Sequence, residues 1–467
     1  MGVVLCNFPL IIYREEVFCS RSSLDALFRP FDSKSVDSVD VMVVGTKEGH
    51  IHLSIYDSFV VGSFKAPVNI GPHSPHLVLH ASHKRYSTHI LLMKSSSAED
   101  RLYFAPMDLR FISASSNYLS LLASRSTALQ NLLRYIHQVQ ILMTNEWKGT
   151  QELPGKFLRD INETLGENAN RTIVQALYHS VATGHTFPAV REWLVDELTE
   201  RVRTVRDVLL VLALTDSQGH KRWDKVVTTG LENLRRLVHE NMLPALDRCS
   251  VILSRFAGIA KFQGRNDTVG FSGQQINLMI DTVACLHLVS SKILIQVVDE
   301  LDLFAAFSAW LRYEIDRLAS DASPTPNEEI LDKEATIDHS KVLLYLQTAM
   351  ATSPLSVFFG DASEDKSGDW TTAEAGLPMF DLLDDQLQKQ ERGLLYATHL
   401  PRVDFLCDTL ARQANIVFGQ IAEAEKRNVL FGQARELGNF QGGAALDMKI
   451  FPVVCNLFSI PVLLLLI

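Results

Sequence analysis

The stretch QQINLMIDTVACLHLVSSKILIQVVDELDLFAAFSAWLRYEIDRLAS (274–320) contains neither an internal Gly nor a Pro. It predicts one long helix, and at about 1.5 Å per residue such a helix reaches roughly 60–70 Å. A helix of that length cannot hide its own apolar stripe. Only a bundle of several long antiparallel helices can cover it. The segment RWDKVVTTGLENLRRLVHENMLPALDRCSVILSRFAGIAKF (222–262) reads as a second long helix, with a kink expected at Pro244.

The helical period begins near Ser113. In SNYLSLLASRSTALQNLLRYIHQVQILMTNEW, residues Leu119, Leu122, Leu129, Leu132, Leu133, Ile136 and Val139 recur at three- and four-residue steps. Residues 151–183 continue as helix, with an interruption expected at the turn-prone run from Gly166 to Asn170. FPAVREWLVDELTER (187–201) carries Pro188 at a helix start, where its missing N–H does no harm. A last helix starts near Pro401, and NFQGGAA ends its pattern. The polar segments 321–334 and 360–370 read as exposed connections or partner-docking loops.

Upstream of Ser113 the pattern is different. Residues 39–64, VDVMVVGTKEGHIHLSIYDSFVVGSF, alternate apolar and polar positions on both sides of Glu48-Gly49. This is a β-hairpin with one buried face, in the manner of a propeller blade. Further strands follow to residue 112, enough for at most two blades, whereas closure usually takes about four or more.

Two segments stand apart. VRTVRDVLLVLALTDSQ (202–218) is densely apolar and shares no amphipathic phase with its neighbours. Without it, Arg201 would meet Gly219 as a basic last turn followed by a helix-ending Gly. It reads as a retained intron translated in frame, or else as a real surface loop or buried hairpin. IFPVVCNLFSIPVLLLLI (450–467) approaches the lower length of a membrane span, though Pro452, Asn456 and Pro461 weaken it as a helix. The N-terminal run MGVVLCNFPLIIYREE lacks a basic region and a cleavage site of the secretory kind.

Chemistry is sparse. The formal net charge of −10 argues against a phosphate-backbone binder, and no nucleic-acid partner is expected. The six cysteines include no CxxC pair and read as free thiols of a reducing compartment. No phosphate-cradling, HExxH, GxSxG or kinase-type motif occurs, so no catalytic residue, cofactor or small-molecule substrate is assigned. His73, His76, His80, His83 and His89 form the nearest metal candidate. On strand and turn they point to opposite faces, so they read as turn and edge residues rather than ligands. Asp299 and Asp302 share a helix face as an exposed charged stripe. Arg312 and Asp316 form an i,i+4 pair. Trp223, Trp310 and Tyr313, with Arg312, are the partner-contact candidates, because such residues are enriched at interfaces.

The segments 184–201, 219–260 and 298–321 together resemble the family of subunit 4 of the anaphase-promoting complex (cyclosome), in its fungal form. GHIHLSIYDSFVVGSF (49–64) is similar to the blade preceding that family's helical domain. The resemblance covers roughly residues 15–440, apart from 202–218. It implies a WD40-like propeller interrupted by an inserted helical bundle. The fold expected is therefore mixed, β then mainly α: partial WD40-like propeller blades over 1–112, a long-helix bundle over 113–436, and an atypical apolar tail over 437–467. On this reading the chain lacks the family's first blades, and its tail is not the returning ones. The implied role is a non-catalytic scaffold in a RING-type ubiquitin ligase of nucleus and cytoplasm, touching the largest platform subunit and subunit 5. The rival expectation is a tail-anchored membrane adaptor with a cytosolic bundle.

Overall fold

A computed structural model describes residues 39–56, 59–67, 75–83, 86–95, 101–114, 118–169, 171–197, 219–263, 270–320, 334–360, 370, 378–395, 400–439, 447–455 and 458–466. The expected intron segment 202–218, the N-terminal run and most of the two polar loops lie outside them.

Antiparallel strands come first. β1 (Val41–Gly45), β2 (His50–Ile55) and β3 (Phe59–Lys65) form a three-stranded sheet in sequential order. The turn between β1 and β2 places Gly49 at φ +78°, a left-handed conformation that glycine adopts without penalty. Ile51, Leu53, Ile55, Phe59 and Val61 point inward at alternate positions, so the period-2 pattern is realised in full. β4 (His76–Ala81), β5 (Thr88–Lys94) and β6 (Arg101–Leu109) begin a second antiparallel sheet.

A short turn of helix, α1 (Phe111–Ala114), leads into the bundle. α2 (Leu119–Ala169) is one continuous helix of 51 residues that passes through Pro154 and ends at Ala169, inside the Gly166–Asn170 run where the break was expected. The proline forfeits one backbone bond, to the carbonyl of residue 150, and tertiary packing on both sides outweighs that loss. α3 (Ile173–Thr183) starts with a capping box between Thr172 and Gln175 and closes at Gly184, φ +70°. The Asn162 side chain accepts from the Ile173 N–H at 2.7 Å, tying the end of α2 to the first turn of α3.

α4 (Pro188–Glu192) has its proline in the first turn, as expected, and widens into a π-turn over Trp193–Glu197. α5 (Gly219–Arg236) and α6 (Leu243–Gln263) are joined by a second π-turn, Leu237–Met242. There the Leu243 N–H reaches the Val238 carbonyl, five residues back. The kink expected at Pro244 is thus a widening of the preceding turn, which absorbs the ring without breaking the helix.

α7 (Gly273–Ser320) is the axis of the bundle and packs against α5, α6, α8 (His339–Gln347), α10 (Met379–Glu391) and α11 (Val403–Lys426). A single turn, α9 (Ser356–Phe359), sits between α8 and α10. Among the described residues α7 is also the helix long and apolar enough to cross a membrane. One apolar stripe of it is the core of the bundle: Met279, Val283, Leu286, Val289, Ile293, Val297, Phe304 and Phe307 are all buried against its neighbours, while Leu278, Ile295 and Val298 are exposed.

After the bundle the chain rejoins the second sheet. The last helix, α11, ends at Lys426, close to where its sequence pattern stops. β7 (Val429–Phe431) pairs with β6, Leu109 opposite Val429, and β8 (Arg435–Asn439) pairs with the other half of β6. The Arg110 N–H donates to the Asn428 carbonyl at 2.9 Å. The bundle is therefore inserted between two strands that are neighbours in one sheet. The tail follows as β9 (Asp447–Cys455) and β10 (Phe458–Leu466), an antiparallel pair beside β4 rather than a membrane-spanning helix. Met448 and Ile450 share a small core with Ala81, Ile90, Leu92 and Leu102.

Sheet and bundle share one interior. Phe64 of β3 meets Phe431 of β7 at 5.6 Å between ring centroids, and the Tyr56 hydroxyl lies 3.2 Å from Ser120 Oγ.

Candidate functional site

The residues singled out in the sequence lie where three pieces of the bundle converge on α7. Trp223 is 1% exposed and Trp310 2% exposed, and Tyr313 is buried as well. The reading of these three rings as partner contacts is therefore corrected: they fill the interior. Their spacing is that of an interface patch and of a core stripe alike, and only the packing distinguishes the two.

Trp223 stands against Phe157 of α2 at 6.1 Å, Trp193 at 6.5 Å and Phe307 at 5.8 Å. Phe307 in turn meets Trp310 at 6.0 Å and Tyr345 of α8 at 4.8 Å. One aromatic cluster thus ties α2, the first π-turn, α5, α7 and α8 together. Offset and tilted geometries of this kind add to simple burial. Burial, with a hydrogen bond to Glu334, pushes the Tyr313 hydroxyl up to about 12.

Arg312 is the candidate that reaches the surface. Its guanidinium bonds Asp224 of α5 at 2.6 Å, and Asp224 also accepts from Ser308 Oγ at 2.7 Å. A second tie sits further along α7. Glu314 accepts from Thr186 Oγ1 at 2.7 Å and takes a two-pronged bond from Arg317, at 2.6 and 2.9 Å. At the other end, the Asp281 carboxylate accepts from the backbone N–H of Met379 and Phe380, capping α10 from across the bundle. Thr282 Oγ1 donates to Gln413 of α11 at 3.0 Å. Each polar group is used to fix one helix against another.

The acidic stretch 298–304 holds a residue that the sequence reading passed over. Asp302 is exposed and paired with Lys341 at 2.7 Å. Glu300 is buried at the seam of α7 and α8 and accepts from Ser353 Oγ at 2.9 Å. Desolvation raises its carboxyl to about 7, partly offset by the serine hydrogen bond. The signal was present in the spacing: Val297, Glu300, Phe304, Phe307 and Leu311 follow each other at helical steps on the inward face.

Of the histidine candidates, His73 lies outside the described residues. His80 Nε2 and His89 Nδ1 are 2.9 Å apart with stacked rings, one on β4 and one on β5. That hydrogen bond requires one nitrogen to accept, so at least one ring is neutral. Desolvation, then the neighbouring His80, pulls His89 down to about 4. Among the described residues no three His, Cys, Asp or Glu side chains converge as a metal site would require. Cys249, Cys285 and Cys407 are buried free thiols, each raised chiefly by desolvation and so unreactive as nucleophiles.

The family model for anaphase-promoting complex, cyclosome, subunit 4 matches residues 103–204 and 209–321, from β6 to the end of α7. The chain is also similar to "Anaphase-promoting complex subunit 4" of Schizosaccharomyces pombe, 19% identical over 366 residues, which are 76% of this chain and 47% of the relative. It spans about half the length of the curated relative it matches. Over the matched residues, and in a fold where strands give way to long helices, the chain is similar to the family of anaphase-promoting complex, cyclosome, subunit 4.

Proposed function

We propose that this chain is a non-catalytic scaffold subunit of the anaphase-promoting complex, a RING-type ubiquitin ligase acting at the metaphase–anaphase transition and mitotic exit. In this reading it belongs to the platform, contacts the largest platform subunit and subunit 5, and resides in nucleus and cytoplasm. The observation carrying the proposal is how the interior is used. Long helices are cross-tied by Asp224, Asp281 and Glu314, and an aromatic cluster packs α2, α5, α7 and α8 together. A body so tied is suited to holding other subunits at fixed distances.

The test is affinity purification of the protein, tagged at its native locus, from mitotic cells, with mass spectrometry of prey and bait. Recovery of the ligase's platform subunits supports the role; a soluble, intact bait without them refutes it. The same bait peptides decide residues 202–218. A peptide joining Arg201 to Gly219 marks a retained intron, whereas peptides from 209–218, which the family model matches, mark coding sequence.

A further inference from the structure

α2 and α6 pack against one another, with Arg125 and Arg255 close together, and the sequence on both sides of this contact has an unusual charge balance. Residues 111–145 contain no Asp or Glu, and residues 243–263 contain only Asp247. The two segments carry Arg125, Arg134, Arg248, Arg255 and Lys261. In a chain of net charge −10 this is a local inversion. Asp247 does not relieve it, because its carboxylate is turned to His287 of α7 at 3.3 Å.

The centre of the face is the pair Arg125 and Arg255. The Arg125 Nε is buried and meets no acceptor among the described residues. Partial burial, and then the Arg255 charge, lower the Arg125 guanidinium from its ordinary value. Among the described residues no carboxylate is paired with these two guanidiniums, which repel each other, and an anion brought from outside relieves the arrangement.

Apolar side chains surround them. On α6, Val251 (55% exposed), Arg255, Gly258 and Phe262 (87% exposed) follow at four-, three- and four-residue steps, so they form one stripe. A Cβ on Gly258 would meet nothing within 4 Å, so the stripe has an open dip at its centre. Leu121, exposed one turn before Arg125, adds the same mixture from α2.

We propose that this α2–α6 face docks an acidic amphipathic helix of a partner protein, its carboxylates meeting Arg125 and Arg255 and its apolar side chains covering Val251, Phe262 and Leu121. The helical repeat of the stripe matches a helix laid along the groove. Val251, Phe262 and Leu121 stand exposed among the arginines, so an occupant with apolar side chains beside its carboxylates suits this face better than a phosphate polymer, which brings charge alone. The surface follows from charge and exposure alone and stands apart from the platform role.

The experiment uses the full chain and a fluorescent, designed helical peptide of about five turns, with Leu at helical steps and Glu elsewhere, and a twin carrying Lys for Glu. Anisotropy titration is expected to show the Glu peptide binding and weakening with salt. Arg125→Glu with Arg255→Glu should weaken it by about tenfold or more and let the Lys twin bind instead. That swap cannot arise from unfolding. Phe262→Ser, at a position too exposed to affect folding, should weaken the Glu peptide without admitting the Lys twin. Equal binding of both peptides, an unchanged affinity in the double variant, or tighter binding of anionic vesicles or an RNA oligomer at the same face would overturn the proposal.

Discussion

Glu300→Gln is expected to stabilise the bundle at alkaline pH and to leave it nearly unchanged in mild acid. The carboxyl sits at about 7 in the folded protein against an ordinary 4.5, because burial at the α7–α8 seam disfavours its charge. The folded state therefore holds a proton that the unfolded chain releases between those two values. Stability tied to this group is greatest below pH 4.5, declines as pH rises through the window, and above pH 7 carries the full cost. That cost is about 3 kcal/mol when the two values are converted to free energy. Glutamine keeps an oxygen for Ser353 Oγ, which donates to Glu300 at 2.9 Å, and removes the charge. Urea unfolding of both proteins, followed by fluorescence of the buried tryptophans, checks this at pH 5 and pH 8.5. The expected gain is up to about 3 kcal/mol at the higher pH and about 1 kcal/mol or less at the lower. The same pH dependence in both proteins would show that Glu300 is solvated and would refute the reasoning.

Trp223→Ala removes the ring that joins Phe157, Trp193 and Phe307, and should cost about 3–5 kcal/mol, read as a lower urea midpoint with loss of near-ultraviolet circular dichroism. Gly270 sits at φ +84°, with a Cβ placed 2.5 Å from the Gln420 carbonyl oxygen, so Gly270→Ala should cost more than about 1 kcal/mol by the same assay. Gly155→Ala in α2, where a Cβ meets nothing, should instead stabilise by up to about 1 kcal/mol. Asp281→Ala uncaps α10 and should cost about 1 kcal/mol, with faster amide hydrogen exchange confined to the first turn of α10.

The helical period was legible because amphipathic stripes repeat over many turns. α7 was plain from 47 residues without a helix breaker, and α3 and α4 carry local start signals in Thr172–Gln175 and Pro188. The Gly166–Asn170 run ends α2 at Ala169, as its turn residues foretold. Two local rules were overridden: Pro154 does not end α2, and Pro244 is absorbed by a π-turn. In each case contacts along a long helix outweigh a penalty confined to one or two residues.

Sequence by itself determined the two kinds of structure, their order, the family resemblance and the apolar positions of each element, since these depend on periodicity within a segment. Tertiary structure alone decided what each apolar face meets. It turned Trp223, Trp310 and Tyr313 inward, placed Glu300 in the core with Asp302 outside, and brought Val429 back beside Leu109 so that the bundle becomes an insertion within one sheet. A strand's partner can lie hundreds of residues away, and a helical stripe looks the same whether another helix of the chain or another protein covers it. Neither fact is written in local spacing, so only the packed chain supplies it.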